Sequence, residues 1–280
     1  MKVTEALAKN TPTLSFEFFP PRTKEQEDHL FAVIARLKKF DPDFVSVTYG
    51  AMGTTREKTF YWVSEIKKRF QVEPVAHLTC VAATADDIAQ QLDELEKAGA
   101  QNILALRGDP PEGQENFVPP RNGFRYAKEL IAFIKKHKPG FCLGAAGFPE
   151  KKDTQHLKEK IAAGADYVIT QLFFDDCYYF DFVARCRKAG IEAPIIPGLM
   201  PITSFKQILK ITKMCGATIP KDLLEKIEKH KDDPQAIQLI GAEHALKQSV
   251  ELLDSSVKGI HFFVMNQAEP ISQILSQLKI

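Results

Sequence analysis

The sequence predicts a single-domain α/β protein folded as a (β/α)8, or TIM, barrel over residues 1–280, and three observations carry that expectation. Short apolar runs rich in β-branched and aromatic residues alternate with longer amphipathic stretches along the whole chain. Three of those stretches end in the same way, at Ala98-Gly99, Ala163-Gly164 and Ala189-Gly190, each a few residues before the next apolar run, as glycine beyond a helix C-terminus predicts. A doubly wound sheet, the competing α/β solution, usually carries a glycine-rich first turn, and neither G-x-G-x-x-G nor a P-loop occurs.

The strands expected in order are Leu14–Phe19, Phe44–Tyr49, Pro74–Cys80, Asn102–Arg107, Phe141–Gly147, Tyr167–Phe174, Pro194–Leu199 and Gly259–Met265. Between and after them lie helical patterns at Glu25–Lys39, Thr55–Phe70, Asp86–Ala98, Gly123–His137, Thr154–Ala163, Asp176–Ala189, Ser204–Met214 and Pro234–Leu253. A βα unit averages about 35 residues on this division, the size expected of a barrel with an insertion. The insertion falls at Ile219–Asp233, where an extra helix fits between the seventh and eighth strands, with Pro220 suited to its first turn. No linker or charge block divides the chain. The breaker-rich segment after the fourth strand, Asp109-Pro110-Pro111-Glu112-Gly113 with Pro119-Pro120, reads as a long loop at the active face.

Composition excludes several classes. Thirty-seven basic and 36 acidic residues leave a net charge of +1, so no overall field holds nucleic acid or an anionic membrane. The cysteines Cys80, Cys142, Cys177, Cys186 and Cys215 form no C-x-x-C pair and keep no zinc-ligand spacing, which fits reduced thiols and no metal site. The N-terminal residues lack a signal-peptide pattern and no apolar run is long enough to span a membrane, so the expected location is the cytoplasm.

In a barrel, chemistry is expected at the C-terminal ends of the strands. Glu17 sits among the aromatics of Ser15-Phe16-Glu17-Phe18-Phe19, and desolvation there should raise its pKa, as suits a general acid; the competing reading is a partner for Arg22 or another cation. Thr48 ends the second strand, His77 lies in the third, and Arg107-Gly108-Asp109 ends the fourth, Asp109 being a second carboxylate at the same mouth. Two such carboxylates would also suit a glycosidase, and His77 taken singly is an ordinary core histidine. Gln171 is an amide among apolar neighbours, either structural or bound to a heterocycle. No lysine ends a strand and no H-x-H or H-E-x-x-H occurs, which weighs against Schiff-base aldolases and metallohydrolases. The surplus of aromatics near the mouth suits a flat, conjugated ligand.

These residues carry a family likeness. SFEFFPPR (Ser15–Arg22), FVSVTYGA (Phe44–Ala51), HLTC (His77–Cys80), ALRGDPP (Ala105–Pro111), AGADYVITQLFFD (Ala163–Asp175), IIPGLMPI (Ile195–Ile202) and GIHFFVMN (Gly259–Asn266) resemble, in order, the methylenetetrahydrofolate reductases. The resemblance implies a cytoplasmic, homo-oligomeric flavoprotein. Its FAD would accept hydride from NADH or NADPH and pass it, by ping-pong kinetics, to 5,10-methylenetetrahydrofolate, giving 5-methyltetrahydrofolate. It implies Glu17 as the acid that protonates the folate's bridging amine, and Asp109 as a charge near flavin and pterin. Gln171, Phe205 and Phe263 would bind substrate. Thr48, His77, Arg107, Gly108, Asp109, Tyr126, Ala127, Ala146, Gly147, Phe148, Asp153, His156 and Lys160 would hold FAD.

The chain departs from the family in two places. Gly147–Asp153 (GFPEKKD) is a shortened loop, where Lys151 and Lys152 would supply charge at the diphosphate in place of a missing histidine; weaker FAD retention is expected. Gln267 stands where the family often has arginine. The competing functions are a folate-reducing subunit fed electrons by a partner redox protein, and a flavin- or folate-binding barrel without catalysis.

Overall fold

The computed structural model describes residues 1–48, 56–108 and 118–278. A short helix α1 (Val3–Leu7) precedes β1 (Thr13–Phe18). The chain continues through α2 (Lys24–Lys38), β2 (Phe44–Val47), α3 (Arg56–Phe70), β3 (Glu73–Thr79), α4 (Ala85–Lys97), β4 (Asn102–Leu106) and α5 (Ala127–His137). Next come β5 (Cys142–Gly147), α6 (Gln155–Ala162), β6 (Tyr167–Thr170), α7 (Asp176–Lys188), β7 (Ile195–Ile196) and β8 (Gly198–Leu199). The last part holds α8 (Phe205–Cys215), α9 (Lys221–Lys229), α10 (Pro234–Asp254), β9 (Gly259–Phe263) and α11 (Ala268–Leu275).

Every strand pair is parallel, in the order β7-β6-β5-β4-β3-β2-β1-β9-β8. The segments β7 and β8 are halves of the seventh expected strand, parted at Pro197, which has no N–H for a ladder. One half pairs with β6 and the other with β9, so the ends of the sheet meet and the expected barrel is formed. At this seam the Gly198 N–H donates to Thr170 Oγ1 at 2.8 Å, and a Cβ on Gly198 would fall 2.3 Å from the Thr170 carbonyl oxygen, so no side chain fits.

Side chains alternate across the barrel wall. On β1, Phe16 and Phe18 point outward into the layer shared with Leu30 and Ile34 of α2, where burial contributes roughly 2 kcal/mol per ring. Ser15 and Glu17 point inward. The expected insertion holds α9, whose Leu223 and Ile227 pack with Ile202, Ile208 and Ile237. The sequence reading did not anticipate α1. Its Val3 and Leu7 close the lower end of the barrel against Phe44, Val75, Leu104 and Tyr167, and the Val3 N–H donates to the buried Asn102 Oδ1 at 2.8 Å.

A second unanticipated feature joins α7 to α10. Asp176 is buried, its Oδ1 accepting from Gln248 Nε2 at 2.8 Å, while Oδ2 has no hydrogen-bond partner among the described residues. Burial pushes this carboxyl up to about 7, against the Gln248 hydrogen bond, which lowers it. A folded pKa above the unfolded one means stability that is full below the unfolded value and is lost as pH rises through about 7. Asp176→Asn, which keeps the shape and removes the titration, is therefore expected to melt higher than the parent at about pH 8 and no higher at about pH 4, in thermal melts across that range. Parallel curves for the two proteins would contradict the linkage.

Candidate active site

Barrel closure sets Ser15 opposite His261 in the β1–β9 register and Glu17 opposite Ser46 in the β1–β2 register. The inward faces of β1, β2, β3 and β9 thereby place Glu17, Ser46, His77 and His261 around one point. Glu17 Oε2 lies 3.4 Å from His261 Nε2, 3.4 Å from His77 Nε2 and 3.3 Å from the Ser46 hydroxyl. The His261 contact is a hydrogen bond, whereas His77 Nε2 lies within ion-pair distance without hydrogen-bond alignment. His261 is fully buried and stacks on Phe44, rings 6.2 Å apart and 18° from parallel.

The far side of His261 is held by a second contact. Its Nδ1 is 2.9 Å from Ser15 Oγ, and that hydroxyl donates to the Ile260 carbonyl at 3.3 Å. The Ser15 contact thus orients the ring, and Nε2 is the atom it turns toward Glu17.

The expected rise in the Glu17 pKa is overturned. Burial does push the carboxyl up, but His77 and His261 together outweigh it and lower it to about 2. The aromatics that prompted the expectation, Phe16 and Phe18, face away from Glu17 on the other side of the strand. What faces it comes from strands distant in the chain.

This cluster lies at the buried end of a cavity of about 440 Å³ at the C-terminal mouth. Of the anticipated residues, Glu17, His77, Gln171 and Phe263 line it here, with Ala146, Arg107 and Gly108 alongside. Gln171 Oε1 accepts the Leu172 N–H at 2.9 Å, leaving the amide nitrogen without a protein partner among the described residues. Gly108 has φ +85°, and a Cβ there would meet Val81 Cγ1 at 2.6 Å, so glycine is required. Tyr126, Ala127, Phe148, His156 and Lys160 line the outer part. There Tyr126 and Phe148 are exposed and the rings of Tyr126 and His156 lie 22° from parallel. Burial, and then the charge of Lys151, push the Lys160 ammonium down to about 8.

Other anticipated residues are not brought to the cavity. Thr48 is half-buried and its N–H pairs with the Phe18 carbonyl. A Cβ on Gly147 would meet Val168 and Phe182, on the outer side of β5. Asp153 is exposed and caps the Gln155 N–H. Phe205 begins α8 beside a separate depression. Asp109, Tyr49 and most of the proline-rich loop lie outside the described residues. Sequence reasoning missed His261, although its period-two spacing with Phe263 on a strand that must pair with β1 was a usable signal. Lys151 lines the cavity and Lys152 does not. No group of acidic, histidine and cysteine residues able to hold a metal ion occurs among the described residues, and no described helix is long and apolar enough to cross a membrane.

Comparison with known proteins places this geometry. The family model for methylenetetrahydrofolate reductase matches residues 2–279. The chain is 38% identical to the 5,10-methylenetetrahydrofolate reductase of Escherichia coli over 91% of its length and 87% of that relative. It is 35% identical to a probable methylenetetrahydrofolate reductase (NADH) of Oryza sativa over 99% of its length but 50% of that relative; the chain spans about half the length of this and similar plant and yeast relatives. Among solved structures, an uncharacterised Clostridium thermocellum protein that binds two copies of 5-methyl-5,6,7,8-tetrahydrofolic acid superposes with a TM-score of 0.66 at 17% identity, covering 98% of this chain and 96% of that one, a likeness of fold. With nearly its whole length matched, the barrel that gathers Glu17, His77 and His261 belongs to the methylenetetrahydrofolate reductase family.

Proposed function

We propose that the chain is a single catalytic unit that reduces 5,10-methylenetetrahydrofolate to 5-methyltetrahydrofolate, with FAD as cofactor and NADH or NADPH as reductant in a ping-pong cycle, in the cytoplasm. The observation that carries this reading is the buried Glu17, His77 and His261 cluster at the floor of a cavity whose outer wall is aromatic and cationic. The outer wall fits a flavin dinucleotide: Tyr126, Phe148 and His156 offer flat surfaces, while Lys151 and Lys160 pair with no carboxylate among the described residues. Bound FAD would supply hydride transfer, accepting from the nicotinamide and donating to the folate, with one cavity serving both.

The protein's part is proton handling and placement. In this proposal a proton held between Glu17 Oε2 and His261 Nε2 passes to the folate's bridging amine, solvent restores it before the next turnover, and the Ser15 hydroxyl keeps the ring oriented through Nδ1. Because Glu17 is ionised when the site is free, the acid is the Glu17 and His261 pair rather than a carboxyl kept neutral by apolar surroundings. In the same proposal the amide nitrogen of Gln171 meets the pterin. Asp109, next to the cavity residue Gly108, supplies negative charge near the flavin and the cationic folate.

An anaerobic titration of FAD-supplemented protein with NADH and then methylenetetrahydrofolate tests the proposal. Bleaching of the oxidised-flavin band and its return on adding folate are expected; bound flavin that NADH cannot bleach would indicate a partner-fed subunit instead. Glu17→Gln should leave flavin reduction by NADH nearly intact and slow the folate step by about 100-fold or more. Equal losses in both half-reactions would remove Glu17 from the acid role. His261→Asn takes from Glu17 one of the two imidazoles that lower its pKa, so the carboxyl pKa rises and the pH profile of the folate step moves to higher pH, with a rate loss of about tenfold or more. A slower step with an unmoved profile would assign His261 to packing alone.

A further inference from the structure

The turn between β5 and α6, Phe148 to Lys152, is held from outside by one side chain. Arg185 on α7 donates from Nη1 to the carbonyls of Lys151 and Lys152, each at 2.9 Å, and from Nη2 to the carbonyl of Pro149 at 2.9 Å. Its Nε donates to Asp181 Oδ2 at 2.8 Å, which fixes the guanidinium plane on its own helix. On the same turn the Glu150 carboxylate accepts the Thr218 N–H at 2.9 and 3.1 Å, tying it to the segment before α9. A tight turn that would otherwise expose several carbonyls to water is thus fastened at both flanks.

The fastening concerns the cavity because of what the turn carries. Lys151 Nζ sits 4.7 Å from the centre of the Phe148 ring and Lys160 Nζ 5.8 Å from it, so two ammonium groups share one aromatic ring at the cavity wall. Lys160 donates to the Ala146 carbonyl, and among the described residues neither lysine meets a carboxylate. Nearby Lys128 and His156, by contrast, both turn to Glu159. Two like charges held close without a counter-ion are unfavourable until an anion with several oxygens arrives between them. Lys151 is exposed, so the placement of its backbone is what keeps its ammonium over the Phe148 ring, and a freely moving turn would carry it away from Lys160.

We propose that Arg185 is a positioning residue for anion binding: by fixing the β5–α6 turn it holds Lys151 beside Lys160 as a cradle for the diphosphate of a bound dinucleotide. The diphosphate part of this rests on the FAD reading above; the cradle itself does not. Arg185 spends its hydrogen bonds on backbone carbonyls and one aspartate of its own helix, so it acts through geometry. A single ammonium cannot span three carbonyls, so Arg185→Lys keeps the charge and loses the clamp.

The test measures the affinity of inorganic pyrophosphate by calorimetry and of FAD by equilibrium dialysis, for the parent, Arg185→Lys and Lys151→Met. Both variants are expected to weaken both ligands by roughly tenfold, with Lys151→Met alone reducing the salt dependence of binding. Parental pyrophosphate affinity in Arg185→Lys would overturn the positioning role, and parental affinity in Lys151→Met would overturn the cradle. Should Arg185→Lys fail to fold, Lys151→Met, whose altered side chain has no carboxylate partner to lose, still decides the cradle, and faster proteolysis of the β5–α6 turn in folded Arg185→Gln decides the clamp. A parent that binds pyrophosphate through Lys151 but does not bind FAD would remove the cofactor reading and leave the cradle standing.

Discussion

Strands closed into a parallel barrel must send every second side chain into one shared interior, and the candidate site depends on what β1, β2, β3 and β9 put there. An interior of that kind is filled almost entirely by apolar residues in its lower part, where Phe44, Val75, Leu104 and Tyr167 meet α1. Higher up, the same geometry brings a carboxylate, two imidazoles and two hydroxyls together. A lone buried carboxylate would be strongly disfavoured; here each polar group is the environment that permits the next. The result is a charge that is buried yet ionised, with its compensation coming entirely from across the sheet.

That distinction explains what the sequence could and could not convey. The strands, most of the helices, the inserted α9 and Glu17, His77 and Gln171 as polar residues at the mouth are legible, because periodicity and punctuation are local properties of the chain; Lys160 was marked only by the family likeness, and α11 was not anticipated. The sign of the Glu17 pKa shift is not legible. The linear neighbours Phe16 and Phe18 suggested an apolar setting, but residues adjacent in a strand face opposite ways, and the real neighbours arrive by register. Helix α1 escapes for a different reason: VTEAL is only five residues, too short to display a helical period, and is specified by contacts with Asn102 and the barrel floor. The split of the seventh strand was marked by Pro197, whose missing N–H is a sequence fact, although the hydroxyl of Thr170 that serves Gly198 at the break is a matter of tertiary structure.

The two ends of the cavity use electrostatics differently. At the floor, a carboxylate meets two imidazoles at 3.4 Å and a hydroxyl at 3.3 Å, so its neighbours are supplied by the protein itself. At the rim, like charges are held together and await a partner from solution. In the proposed cradle, a chain with a net charge of only +1 gains its preference for anions from local placement and not from its total charge. Acidic residues are spent in pairs such as Lys24 with Glu27 and Lys138 with Asp93, and at the mouth itself Glu159 is taken up by Lys128.

The hydrogen bond between Ser15 and His261 joins residues 246 positions apart in the chain. Contacts of such separation carry the greatest loop-closure entropy and form only when the first and last strands meet. During synthesis on the ribosome, then, a nascent chain acquires most of its βα units before it can acquire the Glu17 and His261 pair. A partly built barrel has its aromatic wall without its acid, so chemistry at this site reports on completion of the fold rather than on its beginning.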